Sequence, residues 1–258
     1  MKVICDTNVW YEIASGKFLP PSNIELLATE FSVYELVSSE VAVHDVLLLQ
    51  KAIKSIYDYS SGIISVDPFY YFLRNSLDRF DLDESVLSKN MKRTFNEMLN
   101  MDFSQNPIIP NDIANQVIKK SREQREIRVQ YAEDLNSILP EKRKKINLEI
   151  GKEVYLKNDQ SEIIRGLVFK WTSNYLKTKN DTVDQNQLNW ENIDLFLRVT
   201  ENFHKKLDTT KEMKFKPNDV TDWLNLLYVE PGMKYLTFEK KWKTLILEDP
   251  KTKDYLFN

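Results

Sequence analysis

The sequence predicts an α/β fold, a mainly parallel sheet covered by helices, and three observations point to it. Short β-favouring runs at residues 2–5 and 24–28 are each followed by apolar residues at helical spacing, the alternation that builds parallel sheets. The same pattern returns near residue 218, after a long, charged, helix-rich stretch. With 258 residues, 42% of them hydrophobic and 12% aromatic, the chain has material for a sizeable core, and disorder is a poor reading of it.

Lys2 to Cys5 reads as a strand ending at Asp6-Thr7-Asn8, after which Val9, Trp10, Ile13 and Ala14 recur at helical spacing until Ser15-Gly16. Ile24 to Ala28 reads as a second strand. Thr29 is a candidate N-cap for a helix carrying Phe31, Val33, Leu36 and Val37. A third β-like run, Gly62 to Val66, precedes Asp67-Pro68 and the aromatic cluster Phe69 to Phe72, where the proline suits a helical first turn. From about 75 to 215 the pattern is almost wholly helical, with stops expected at residues 106–112 (NPIIPND) and 139–142 (LPEK). Lys216-Pro217-Asn218 then introduces a helix whose Val220, Trp223, Leu224, Leu227 and Tyr228 share one face. Met233 to Thr237 reads as a strand, Phe238-Glu239 as a turn and Thr244 to Leu247 as a further strand. The expected organisation is a discontinuous α/β domain, 1–74 and 216–258, split by an α-helical insertion, 75–215.

Composition removes several classes of function. Lys and Arg total 36 against 39 Asp and Glu, a net charge of −3, so a nucleic-acid partner has to be met by a local basic patch. One cysteine, Cys5, excludes an internal disulfide framework, and two histidines, His44 and His204, leave little for histidine ligation. Neither GxGxxG nor GxxxxGK occurs. Val3-Ile4-Cys5 is too short for a signal-peptide core, and VAVHDVLLL at 41–49 falls far short of the ~20 residues of a membrane helix. A cytoplasmic protein with no membrane partner is the expectation, and its chemistry falls to carboxylates.

Asp6 follows the first strand, Glu35 lies in the second helix, Asp219 and Asp222 open the late helix, and Glu239 follows a late strand. In a parallel sheet, strand C-termini and the helix starts that follow share the edge where ligands bind. Carboxylates gathered there repel one another unless they hold cations, and an all-oxygen set suits Mg²⁺ or Mn²⁺.

The strings ICDTN at 4–8, TEFSVYE at 29–35, DVTDWLNLLY at 219–228 and YLTFE at 235–239, in that order, resemble a PIN-domain nuclease over residues 1–70 and 216–248. The resemblance implies a Rossmann-like three-layer α/β/α sandwich and a metal-dependent endoribonuclease, a toxin or defence nuclease, whose acidic quartet binds Mg²⁺ or Mn²⁺. Asp6, Glu35, Asp222 and Glu239 match that quartet, with Asn8 and Thr237 as the polar residues beside it. Glu239 stands where such proteins usually carry Asp, and Asp219 is an additional acid one turn before Asp222. RNA is the implied substrate, and an antitoxin or regulatory protein and a homo-oligomer are the partners to look for.

Each acid also has a plainer reading. Asp6 caps a helix, Asp219 and Asp222 favour a helix dipole, Glu35 faces solvent, and Glu239 is a surface acid among lysines. Lys240, Lys241 and Lys243 adjoin the expected cleft, while Arg122, Arg125 and Arg128 repeat every three residues, and Lys142 to Lys145 are all basic; both groups could grip phosphate. Glu123, Glu126, Glu133 and Asp134 equally suggest a solvated face. His44 and His204 read as surface or packing residues, Cys5 as a small core residue, and Trp10, Trp171 and Trp223 as core before base-stacking platforms. The alternative function is a non-catalytic PIN-like scaffold that binds a partner through the helical insertion, and a weaker one is a flap-type DNA nuclease.

Overall fold

The computed structural model describes residues 1–38, 45–77, 111–177 and 181–257, together with Arg93 and Asn100. His44 and much of 78–110 therefore lie outside the described residues. Strand β1 is Lys2–Cys5, and α1, Thr7–Ala14, follows with Asp6 as its N-cap. Strand β2, Glu25–Thr29, leads into α2, Glu30–Ser38. Thr29 caps that helix as expected, its Oγ1 accepting the Ser32 N–H at 3.1 Å.

Helix α3, Val46–Tyr59, was not anticipated. The run at 41–49, which in sequence invited only comparison with a membrane span, leads into it, with Asp45 as N-cap accepting from the Leu48 N–H at 2.9 Å. Among the described residues, no helix is long and apolar enough to cross a membrane. Strand β3 is Ser60–Ile64, two residues earlier than the sequence suggests, and α4, Pro68–Ser76, starts on its proline with Asp67 as cap.

The helical stretch contains α5, Asn111–Lys145, a π turn at Ile146–Ile150, α6, Lys152–Lys157, α7, Ser161–Lys177, and α8, Asp194–Thr209. Helix α5 runs through Pro140, where a stop was expected. Proline removes one N–H from the ladder, and packing of the flanking turns keeps the helix going. Helix α9, Asp219–Asn225, precedes β4, Lys234–Leu236, and α10, Lys240–Glu248. The last of these corrects the expected strand at 244–247. Thr-Leu-Ile-Leu is β-favouring, but Trp242, Leu245 and Ile246 are buried at helical spacing, and tertiary burial overrides local propensity.

Among the described residues the four strands are all parallel, in the order β3-β2-β1-β4. Alternate residues face opposite layers. Val3, Cys5, Leu26, Ala28 and Leu236 pack with α1, α2 and α3, whereas Ile4, Ile64 and Tyr235 join a second cluster. That second cluster includes Leu139, Val168, Phe196 and Phe203 of the helical stretch beside Trp223 and Trp242. Residues from both parts of the expected domain division thus share one apolar cluster.

The chain leaves β2 on one side of β1 and returns as β4 on the other. A parallel sheet opens a crevice at such a reversal, beyond the strand C-termini. Asp6 stands there, its backbone N–H donating to the Leu236 carbonyl at 3.0 Å.

Candidate metal centre

Asp6, Glu35 and Asp222 come together at this crevice, each offering a carboxylate oxygen within 4.8 Å of the others. Three different elements supply them. Asp6 comes from the end of β1, and its cap geometry aims it outward: Oδ1 accepts the Thr7 N–H at 2.7 Å, and Oδ2 accepts from Asn8 Nδ2 at 2.8 Å and Thr237 Oγ1 at 2.7 Å. Asn8 in turn accepts the Phe238 N–H at 3.1 Å, and Thr237 accepts the Glu239 N–H at 3.1 Å. Asn8 and Thr237 therefore tie the loop after β4 to Asp6.

Glu35 is placed by α2, whose start is pinned twice. Ser32 Oγ donates to the Cys5 carbonyl at 2.9 Å, and Thr29 Oγ1 donates to Asn225 Oδ1 at 2.8 Å, joining α2 to β1 and α9. One turn later Glu35 Oε2 accepts from Thr7 Oγ1 at 2.5 Å, and Arg128 of α5 lies 3.5 Å from Oε1. The same arginine donates to Thr221 Oγ1 at 3.2 Å. Asp222, on the first turn of α9, accepts from Trp242 Nε1 at 2.9 Å.

The other expected residues divide. Glu239 is exposed at the rim, close enough for its charge to raise both Asp6 and Asp222. Asp219 is turned away and bound elsewhere, its Oδ2 2.6 Å from Lys241 Nζ and 2.7 Å from the Lys216 N–H. Lys241 also lies 4.2 Å over the Phe203 ring, and burial lowers its pKa. Lys240 is exposed beside Glu239, and Arg122 and Arg125 are exposed on α5. Of the basic run at the end of α5, Lys142 pairs with Asp208 and Arg143 donates to the carbonyls of Leu207, Lys211 and Met213. Those two cations hold the fold together. His204 is largely enclosed and packs on Trp223, and Cys5 is fully buried.

Sequence reasoning missed Thr7, Arg128 as a partner of Glu35, Thr221 and Trp242. Thr7 sits between two residues that were singled out. The other three act across large separations and carry no local signal.

Electrostatics describe a site short of positive charge. Burial first, then the neighbouring acids, raise Asp6 to about 7 against three stabilising hydrogen bonds, and raise Asp222 to about 9. Glu35 is also raised by burial, opposed by Thr7 and Arg128. The donor set fits a divalent cation. Three carboxylates from separate elements, each with an oxygen within 4.8 Å of the others, form a donor set that a divalent cation would draw together. All donors are hard oxygens, which suits Mg²⁺ or Mn²⁺ over softer metals. Comparison with protein-family models, with curated proteins and with solved structures finds no match to this chain.

Proposed function

We propose that this protein is a PIN-like endoribonuclease on a Rossmann-like three-layer scaffold, cutting RNA phosphodiesters with Mg²⁺ or Mn²⁺ held by Asp6, Glu35 and Asp222, and by Glu239 from the rim. One observation carries the reading: carboxylates 29 and 187 residues apart along the chain converge within 4.8 Å at the sheet's point of reversal. What a divalent cation supplies when bound there is charge stabilisation at the phosphate and a more acidic water. The protein's own residues set the geometry. Asn8, Thr237 and the Thr7 N–H fix both oxygens of Asp6, Thr7 and Arg128 orient Glu35, and Trp242 orients Asp222. In this reading Lys240, exposed beside Glu239, contacts a substrate phosphate. Asp219, held by Lys241, supports α9 and is outside the ligand set of this reading.

The test is cleavage of a mixed-sequence RNA by wild type and Asp6→Asn, with Mn²⁺, Mg²⁺ or chelator, and with branched DNA as competitor. Metal-dependent cutting of RNA that is lost in the variant supports the proposal. Equal cutting by a clean variant preparation overturns it.

Arg128 favours a second reading, because it already supplies positive charge to Glu35. In that reading the chain is a non-catalytic scaffold, the arginine stands in for a metal, and the helical stretch binds a partner. Calorimetric titration with Mn²⁺ separates the two, since the scaffold predicts no binding that depends on Glu35.

A further inference from the structure

Away from the acidic centre, residues of α5, α6, α7 and α8 line a cavity of about 450 Å³ that is open to solvent, within the size range of small-molecule sites. None of Asp6, Glu35, Asp222 or Glu239 lines it. Its walls are largely apolar, formed by Leu135 and Leu139 of α5, Ile163 and Leu167 of α7, Leu207 and Phe215. Polar groups gather in one part: Gln160, Tyr155, Lys142, Asp208 and His204.

Gln160 is the unexplained member. It is only 6% exposed, it lines the cavity, and its amide Nε2 has no hydrogen-bond partner. The residue itself is firmly placed, its N–H donating to Glu201 Oε1 at 3.1 Å and its carbonyl accepting the Ile164 N–H at 3.1 Å. Tyr155 does not satisfy the amide. Its hydroxyl has one proton, already given to Asp208, and its approach to Gln160 Oε1 is 3.5 Å. Turning the amide over exchanges an open donor for an open acceptor, so one amide edge stays unpaired in either orientation, on a side chain that lines the cavity.

The charges beside it decide what the head of a ligand has to be. Lys142 Nζ lies 2.6 Å from Asp208, which also accepts from Tyr155, so acid and base compensate each other. His204 is neutral, with burial and the Lys142 charge holding its pKa near 4. Asp159 at the rim is bound to the Ser161 N–H at 2.8 Å and feels Lys205 and Arg165. Among the described residues that line the cavity the cation, Lys142, is already paired, so an anionic head entering here gives up its hydration for no free counter-ion, whereas a neutral head that donates and accepts completes the Gln160 amide.

We propose that this cavity is a binding site for a neutral amphiphile, its hydrocarbon body against Leu139, Leu167 and Phe215 and its amide or hydroxyl head hydrogen-bonded to Gln160. The inference does not depend on the nuclease reading. Its test uses the full chain and the uncharged dye N-phenylnaphthylamine, whose fluorescence rises in apolar sites, displaced by octanamide or by octanoate. The expected result is saturable binding at one site per chain, with octanamide displacing the dye at about tenfold lower concentration than octanoate, the value of one good hydrogen bond. Gln160→Leu should erase that preference while dye still binds. Ile163→Trp, at a 63% exposed position on the cavity wall, should block the dye. No saturable binding, equal displacement by the two competitors, a preference that survives Gln160→Leu, or dye binding untouched in Ile163→Trp each overturns the proposal. The amide-against-carboxylate comparison is made on wild type and stands even where a variant fails to fold.

Discussion

Asp208 and Asp6 are buried to the same degree, each 2% exposed, yet their surroundings are opposite. Asp208 has Lys142 at 2.6 Å and the Tyr155 hydroxyl as donor. Asp6 shares its crevice with Glu35 and Asp222; Arg128 sits on Glu35 at 3.5 Å, and Lys241, bound to Asp219, feels the charge of Asp222 from outside the trio. A compensated carboxylate pins helices together. An under-compensated cluster is raised in pKa and draws a cation, and so the same residue type serves structure in one place and chemistry in the other.

The widest separation between the two regions should appear in activity. Asp6→Asn removes a ligand charge and is expected to lower metal-dependent cleavage by about a thousandfold or more, the several kcal/mol that cation stabilisation contributes, whereas Asp208→Asn should leave the rate per folded molecule unchanged. Gel-based cleavage at matched folded concentration reads both, and a comparable loss in the two variants would erase the distinction. Stability should run the other way. Asp208→Ala strands Lys142 and the Tyr155 hydroxyl, at a cost of about 3 kcal/mol, the low end for a broken buried pair because Lys142 is 42% exposed. Asp222→Asn, in chelator, relieves repulsion and should melt at or above wild type. Denaturant unfolding of the two variants checks this, and a large loss in Asp222→Asn would mean that the acid cluster is held by contacts other than those seen here.

The same contrast governs what sequence could disclose. Strands β1 and β2 were legible because short apolar runs end at residues, Asp6 and Thr29, that cap the next helix through adjacent backbone. The order of the acids was legible for the same reason, since parallel topology alone sends strand ends and helix starts to one edge. The choice between Asp219 and Asp222 was not. Both open α9, and the decision is made by Lys241 and Trp242, about twenty residues away on α10, a helix whose β-favouring residues at 244–247 read locally as a strand. Arg128 shows the same limit: its spacing with Arg122 and Arg125 suggests a phosphate-gripping face, while the fold turns it onto Glu35, 93 residues earlier. Helix α3 had a legible period, Val46, Leu49, Ile53 and Ile56, and an N-cap in Asp45, but the apolar run that leads into it drew attention only as a membrane candidate.

Acidity sharpens the comparison because the two regions respond with opposite sign. His204, enclosed and facing Lys142 and Asp208, titrates near 4 when folded against about 6.5 when unfolded. The unfolded chain therefore binds more protons between those values, and stability from this group is complete above pH 6.5 and is lost as pH falls toward 4, on the order of 2 kcal/mol by pH 4.5. Asp6 and Asp222, raised to about 7 and about 9, bind protons in the folded chain that the unfolded chain has released. Their contribution falls as pH rises from about 4 through 9, and saturating Mn²⁺ should remove that fall. Unfolding curves of wild type and His204→Phe from pH 4 to 9, with chelator and with Mn²⁺, separate the two slopes. A wild-type minus variant difference that does not change between pH 6.5 and 4.5 would show that His204 is not held neutral by burial.

The smallest effect expected concerns the residue that decides between nuclease and scaffold. Arg128 is 23% exposed and Glu35 21%, and their contact at 3.5 Å is neither short nor bidentate, so the pair contributes about 1 kcal/mol at most. If Thr7 suffices to hold Glu35 for a metal, Arg128→Ala leaves the carboxylate in place and frees its second oxygen, and Mn²⁺ affinity should rise by about fivefold, that same 1 kcal/mol expressed as a ratio. Cleavage should then persist at lower metal concentration. If the arginine replaces the metal, its removal strips the three acids of the cation bound to Glu35, and Mn²⁺ binding should appear in the variant where wild type shows none. Titration of both chains with Mn²⁺ at one pH thus reads the role of Arg128 from wild type first and from the variant second: a modest gain over existing affinity keeps the acidic centre as a working metal site, and a gain from nothing makes Arg128 its permanent occupant.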